Sequence, residues 1–152
     1  MLHGLIHPEG GHIKVPILPS DAEFEGVCEF HKSCLEGLCT NVSIAKRLGK
    51  SIEDLEKVED SNEVWDKVGY YLGVACANLA LTMSLEKIII GGGVMNRTIL
   101  YDKIRDTFLK EVNGYLKHKS LSKENISTYI IKPTLEHNLG IIAAAMVGAS
   151  SD

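Results

Sequence analysis

No run of apolar residues in this 152-residue chain approaches the roughly 18 that a membrane-spanning helix needs. The opening "MLHGLIHPEGG" lacks a basic start followed by an apolar stretch, so a secretory leader is not expected. Positive charge is also scarce. The net charge is −4, and the one dense basic cluster, Lys117-His118-Lys119, is too short to form a nucleic-acid footprint. It reads as the solvated end of a helix. Neither GxxxxGK[ST] nor GxGxxG occurs, and there is no internal repeat or low-complexity tract. These absences leave a cytoplasmic globular chain, long enough for one domain with a sizeable core. Thiols stay reduced in that compartment, so the four cysteines are expected to be metal ligands or buried apolar groups, with no disulfide.

Residues that punctuate and pattern the chain set the expected elements. Glycines and the pair Pro16/Pro19 dominate the first thirty residues, which should be short extended pieces and a long loop, with "HIKV" the clearest strand. Leu35, Leu38, Val42, Ala45 and Leu48 recur at helical spacing before the stop signal Gly49. Ser51 and Asp54 form a capping box for a short helix. A longer helix, capped by Ser61, should carry an apolar stripe from Val64 and Trp65 to Met83, which places Trp65 in the core. "KIIIGGGVMN" reads as a buried strand running into a glycine turn, and a helix should follow from about Thr98. "ISTYIIK" is the second strand, closed by Pro133, and "HNLGIIAAAMVGA" the last helix. The order strand, helix, strand, helix over 86–150 implies an α/β layer with parallel strands, after helices over 34–84 and a strand-and-loop segment over 1–36.

Four residues carry chemistry. Cys28-x2-His31-x2-Cys34 offers three soft donors in a tight loop, and His12 is the natural fourth. Zinc favours a tetrahedron of thiolates and neutral imidazoles, and four protein ligands leave no open position, so the site should be structural. Two buried cysteines beside two surface histidines is the plainer alternative. Cys39 and Cys76 lie within helical apolar patterns and read as core. Metal on one ring nitrogen of His12 leaves the other as an N–H donor. With Glu9 three residues before it and Glu36 two after Cys34, that donor and two charged acceptors suit a ring of hydroxyls. Taken singly, Glu9 is a loop carboxylate and Glu36 a favourable acid in a helix's first turn.

"HPEGGHI", "C-x2-H-x2-CLEG" and "IIIGGGVMN", in that order, resemble the C-terminal half of the ROK family of sugar kinases and sugar-responsive repressors. The likeness runs from Met1 to about Ser150. Many members carry a Cys-x-Cys-x4-Cys zinc loop; the histidine in this one resembles the fructokinase branch. The resemblance implies zinc at His12, Cys28, His31 and Cys34, and sugar contacts from Glu9, His12 and Glu36. It also implies ATP contacts from Gly91, Gly92, Gly93 and Val94. Glycines there let backbone approach a nucleotide closely; read alone, they are a tight strand-to-helix turn. The implied fold is the C-terminal lobe of an actin-like, ribonuclease-H-like ATPase, a mixed or parallel sheet flanked by helices with a zinc-stapled loop. The implied reaction is phosphoryl transfer from ATP, with Mg²⁺, to a hexose, fructose being favoured.

The family's Asp-x-Gly-Gly-Thr phosphate motif, its catalytic aspartate and its Gly-Thr-Gly loop are absent from these residues, and no residue is assigned as the base. The chain is therefore expected to lack the N-terminal lobe, to be inactive alone, and to expose edges that invite association. Homodimers are common in the family. The competing readings are another hexose kinase, for glucose or mannose, the sugar-binding part of a repressor, and a zinc-stapled interaction domain without chemistry.

Overall fold

Thr40 decides how the chain leaves its first loop. The computed structural model describes residues 5–134 and 139–149. The ends of the chain and residues 135–138, with the first two residues of the expected last helix, lie outside that description. The apolar spacing over 35–48 suggested one continuous helix, but Thr40 is extended at φ −79° and ψ 162° and divides it. Helix α1 spans Leu35–Cys39 and α2 spans Asn41–Leu48. The Thr40 hydroxyl accepts the Ser43 N–H at 3.3 Å, an N-cap for α2 that competes with helix continuation. Gly49, left-handed at φ 60°, closes α2 as expected. Ser51 and Asp54 do cap one another, with the Asp54 N–H donating to Ser51 Oγ at 3.3 Å, at a short 3-10 turn over Glu53–Lys57.

Helix α3, Val64–Met83, is the central element. Asn62 Oδ1, not Ser61, accepts the free Val64 N–H at its start. Trp65 is in the core, its indole N–H donating to the Glu59 carbonyl at 3.0 Å. Helix α4, Ile99–Val112, lies along α3 in the same direction, because Gly69 faces Lys103 and Gly73 faces Thr107. A Cβ at either glycine would come within 2.5 Å of the Lys103 or Thr107 side chain. Two missing side chains one turn apart thus let the helix backbones approach closely.

The sheet is small. Strand β1, Ile88–Ile89, pairs in parallel with β2, Ile130–Ile131, with Ile88 opposite Ile130 and Ile89 opposite Ile131. Helix α4 is the crossover between them and fastens both. Tyr101 donates to the Ile90 carbonyl at 2.6 Å, and Arg105 donates twice to that of Ile130, at 3.0 and 2.8 Å. Ile88 and Ile130 are buried, whereas Ile89 is 61% exposed, so the strand expected to be buried is covered on one face.

Three further expectations are corrected. "HIKV" is not a strand: His12 closes a 3-10 turn over Gly10–His12, and Lys14 makes a single antiparallel bridge to Cys34. Pro16 has no N–H with which to continue a ladder. "ISTYIIK" is strand only in its second half. Residues Ile126–Tyr129 form a helical turn, α5, which buries Ile126 and Tyr129 three residues apart on one face. Lys117-His118-Lys119 does not end a helix. Helix α4 stops at Val112, and His118 Nδ1 instead accepts the Ser120 N–H at 3.3 Å, opening a 3-10 turn over Lys119–Leu121. Helix α6, Leu139–Ala149, closes the described chain and leaves Ile141 and Met146 exposed.

One buried polar group ties the first loop to the helices. Asp21, 4% exposed, receives the Arg47 guanidinium at both oxygens, Nε–Oδ1 at 3.0 Å and Nη2–Oδ2 at 2.8 Å. Tyr71 of α3 donates to Asp21 Oδ2 at 2.8 Å, and Arg47 Nη1 donates to the Leu38 carbonyl at 2.7 Å. Burial, then the Asp21 carboxylate, push the Tyr71 hydroxyl well above its ordinary value, so it stays a donor.

Replacing Arg47 with Met leaves the buried Asp21 charge only the Tyr71 hydroxyl and the Lys67 ammonium 3.9 Å away. Urea unfolding should register a loss of about 3–5 kcal/mol. Gly73→Ala forces α4 away from α3 and should cost about 1–3 kcal/mol by the same measurement.

Candidate metal centre

A hairpin-like turn presents the two cysteines and the second histidine. Cys28 and Lys32 form an antiparallel bridge, Cys28 N–H to Lys32 O at 3.3 Å and Lys32 N–H to Cys28 O at 3.0 Å. The turn closes because Lys32 adopts φ 55°. The His31 N–H points back at Cys28 Sγ, 3.5 Å away. The turn packs onto α1 through glycine, since a Cβ at Gly37 or at Gly26 would overlap the Lys32 carbonyl. This gives a physical reason for the glycine in "CLEG". His12 arrives from the preceding segment, held against the turn by the Leu35 N–H, which donates to the Ile13 carbonyl at 2.9 Å.

The candidate ligand atoms of His12, Cys28, His31 and Cys34 all lie within 4.8 Å of one another. His12 Nδ1 is 3.8 Å from Cys28 Sγ and 3.7 Å from Cys34 Sγ, and His31 Nδ1 is 3.9 Å from Cys28 Sγ. A zinc tetrahedron with ordinary Zn–S and Zn–N lengths spans about 3.6 Å between sulfur and nitrogen. The donor set and its spacing therefore fit zinc. The cysteines are buried, His12 is half-buried and His31 is exposed.

The two thiols are unlike. The His31 N–H that reaches its sulfur leads the effects that pull Cys28 down to about 6, whereas burial raises Cys34. Cys28 is therefore a thiolate at neutral pH, and a metal must displace a proton from Cys34. The stabilisation from the Cys28 thiolate is full above the ordinary thiol value of 9.0 and is gone once pH falls through about 6.

With Nδ1 turned to the sulfurs, His12 Nε2 faces outward, 3.6 Å from Glu36 Oε2. That gap exceeds a hydrogen bond and leaves both groups able to address a third partner. Glu36 stands in the first turn of α1, with its side chain against Gly11. Glu9 precedes the Gly10–His12 turn, and its carbonyl accepts the His12 N–H at 3.0 Å. Its carboxylate meets His7 Nε2 at 2.5 Å. His7 holds one of the predicted acids, a contact that sequence reasoning missed although "HPE" contains both residues. Cys39 and Cys76 are buried away from this group and pushed up to about 12 by burial.

The second predicted site lies apart from the metal candidates. After β1, Gly92 takes φ 103° and ψ 173°, a conformation closed to side-chain-bearing residues, and Gly93–Asn96 forms a 3-10 turn. Gly91, Gly92 and Gly93 are exposed and Val94 is half-buried. A cavity of about 590 Å³ adjoins the turn, lined by Gly93, Val94, Asn41, Trp65, Arg97 and Thr98 among others. Arg97 forms part of its wall, bonded to Asp60 at 2.7 Å and to the Leu55 carbonyl at 2.8 Å, with its guanidinium 4.7 Å from the Trp65 ring. No helix among the described residues is long and apolar enough to cross a membrane.

In the metal-free chain, Cys28 should react first with iodoacetamide at pH 7, and its rate should fall as pH drops below about 6. Cys39 and Cys76 should stay unlabelled, and added zinc should protect Cys28 and Cys34. Mass spectrometry of the labelled peptides checks each site. Gly37→Ala should abolish the zinc protection, because the turn can no longer seat on α1.

Comparison with known proteins fits these positions into one pattern. The ROK family profile matches residues 1–149. A protein named "Putative fructokinase" from Bacillus subtilis (strain 168) is 40% identical over 147 residues, covering 97% of this chain and 48% of that protein. A fructokinase from Pediococcus pentosaceus is 34% identical over 151 residues, covering 99% of this chain and 49% of its own length. A glucokinase from Halalkalibacterium halodurans is 37% identical over 79 residues, 52% of this chain and 22% of that protein. The chain thus spans about half the length of the fructokinase relatives. A profile match across nearly every residue, together with identities this high, settles the kinship: the chain belongs to the ROK family.

Proposed function

We propose that this chain forms the hexose-facing lobe of an ATP-dependent sugar kinase of the ROK family, with fructose as the favoured acceptor. The observation that carries the proposal is the convergence of His12, Cys28, His31 and Cys34 while His12 Nε2 and Glu36 Oε2 face one another at 3.6 Å. The family implies an actin-like ATPase fold, and the parallel β1–α4–β2 unit is compatible with one lobe of it.

In this reading His12, Cys28, His31 and Cys34 hold zinc, which fixes the His12 ring in the tautomer that keeps a proton on Nε2. That N–H donates to a sugar hydroxyl, and the carboxylates of Glu36 and Glu9 accept from hydroxyls. Charged acceptors make these bonds strong and direction-specific. His7 keeps the Glu9 carboxylate in place. At the other site, Gly91 to Val94 let a nucleotide approach the backbone, and the adjoining cavity is within the usual range for a small-molecule pocket. ATP and Mg²⁺ belong to the complete enzyme. The acceptor hydroxyl must lose its proton to a base, and none of the residues described takes that role. The 152 residues alone are therefore proposed to bind ligands without transferring phosphate. The fructokinase relatives support fructose; the shorter glucokinase match makes glucose the first competitor.

Calorimetry of the zinc-loaded chain should find fructose bound more tightly than glucose or mannose, with no ATP-dependent fructose phosphorylation in a coupled assay. Glu36→Gln and Glu9→Gln should each weaken fructose binding by about 1.5–3 kcal/mol, the worth of a charge-assisted hydrogen bond. Unchanged affinity in both variants, or phosphorylation by the chain alone, would overturn the assignment.

A further inference from the structure

The metal candidates come from two segments, and something must hold them in register. His12 lies on one segment, while Cys28, His31 and Cys34 lie on the turn and its exit. His31 is the exposed member, next to Phe30, which is 80% exposed, so its limb of the turn has little packing to fix it. Lys14 supplies the missing tie. Its backbone bridges Cys34, and its ammonium reaches across the turn to donate to the His31 carbonyl at 2.7 Å and to Ser33 Oγ at 3.4 Å. These two acceptors flank Lys32, the residue with φ 55° at which the turn reverses. Ile13, extended at φ −66° and ψ 151°, carries the chain out of the Gly10–His12 turn and sets Lys14 beside Cys34. His12 and Lys14 both reach the turn, His12 at the two sulfurs and Lys14 at the His31 carbonyl, while Val15 is buried in the core.

We propose that Lys14 is a positioning residue for the metal centre, fixing the His31 limb relative to His12 so that both imidazoles meet the metal in one geometry. This rests on the reading of His12, Cys28, His31 and Cys34 as zinc ligands. Lys14 is neither a proposed ligand nor a proposed sugar contact; its ammonium meets the His31 carbonyl and Ser33 Oγ. Its contribution is to reduce the freedom of the one ligand that the fold does not otherwise bury. Outer contacts of this kind typically govern metal affinity by about 10–100-fold.

Zinc affinity of the purified chain, measured by competition with a chromophoric chelator, tests the proposal without any sugar or activity. Lys14→Met should weaken zinc binding by about 10–100-fold and speed its release. Lys14→Arg, which keeps a charged donor on a long stem, should retain most of the affinity. Ser33→Ala, which removes the longer contact, should have the smaller effect. The metal-free Lys14→Met and parent chains should melt together, because the Lys14 side chain is exposed and its loss leaves the core untouched. Parent-like affinity in Lys14→Met overturns the proposal, as does Lys14→Arg binding no better than Lys14→Met. A parent chain that binds no zinc overturns the metal reading itself and this proposal with it, which separates the two failures.

Discussion

The buried pairing of Asp21 with Arg47 is the constraint on which the first third of the chain depends. Fifteen residues separate His12 from Cys28, rich in turn-formers and poor in regular structure. Left free, such a loop would cost the ordering entropy of every residue before its two ends could meet. The guanidinium of α2 and the hydroxyl of α3 converge on the middle of that loop and hold it where both ends reach the same place. Phe24 stacks beneath the guanidinium at 3.9 Å and helps to exclude water from the pair. The ligand group is thereby anchored to the helical core at a point remote from any ligand.

The two functional regions are positioned by different means. At the metal centre, glycines at 26 and 37 remove side chains so that a turn can press its carbonyl against α1. At the glycine turn after β1, backbone freedom matters more than space, because at Gly92 it is the dihedral that excludes other residues. Helix α4, seated on α3, grips the ends of both strands through Tyr101 and Arg105. Each site therefore draws its rigidity from helix contacts, and the two-residue strands contribute little of it.

Much of this was legible from residue order. Donor type and spacing brought His12, Cys28, His31 and Cys34 under consideration together, because few arrangements other than metal binding place thiols and imidazoles so closely. The long helix and its crossover partner announced themselves by apolar period. What escaped were features decided by partners distant in sequence. Nothing local marks Asp21 as the mate of Arg47, twenty-six residues on. Thr40 broke a periodic run because a local cap outweighed the period, and Ile126–Tyr129 coiled where β-branched residues suggested extension. At Gly69 and Gly73 the signal, a four-residue repeat of missing side chains, acquires meaning only once α4 lies against it. Lys14 carried no local signal, because its partner, the His31 carbonyl, lies seventeen residues on.

The close seating of α4 on Gly69 and Gly73 carries a mechanical consequence for the cavity beside Gly93. Helices in contact along their backbones cannot slide without collision, so Trp65 near the start of α3 and Thr98 beside α4 ride on a single rigid wall. The opposite wall, the short 3-10 stretch Glu53–Lys57 and its continuation to Asp60, is joined to that block by Arg97 through an ion pair and carbonyl hydrogen bonds. The Trp65 indole N–H on the Glu59 carbonyl is a second link across the same gap, so breathing of the cavity starts at the exposed bond from Arg97 to Asp60, the cheapest of these links to release.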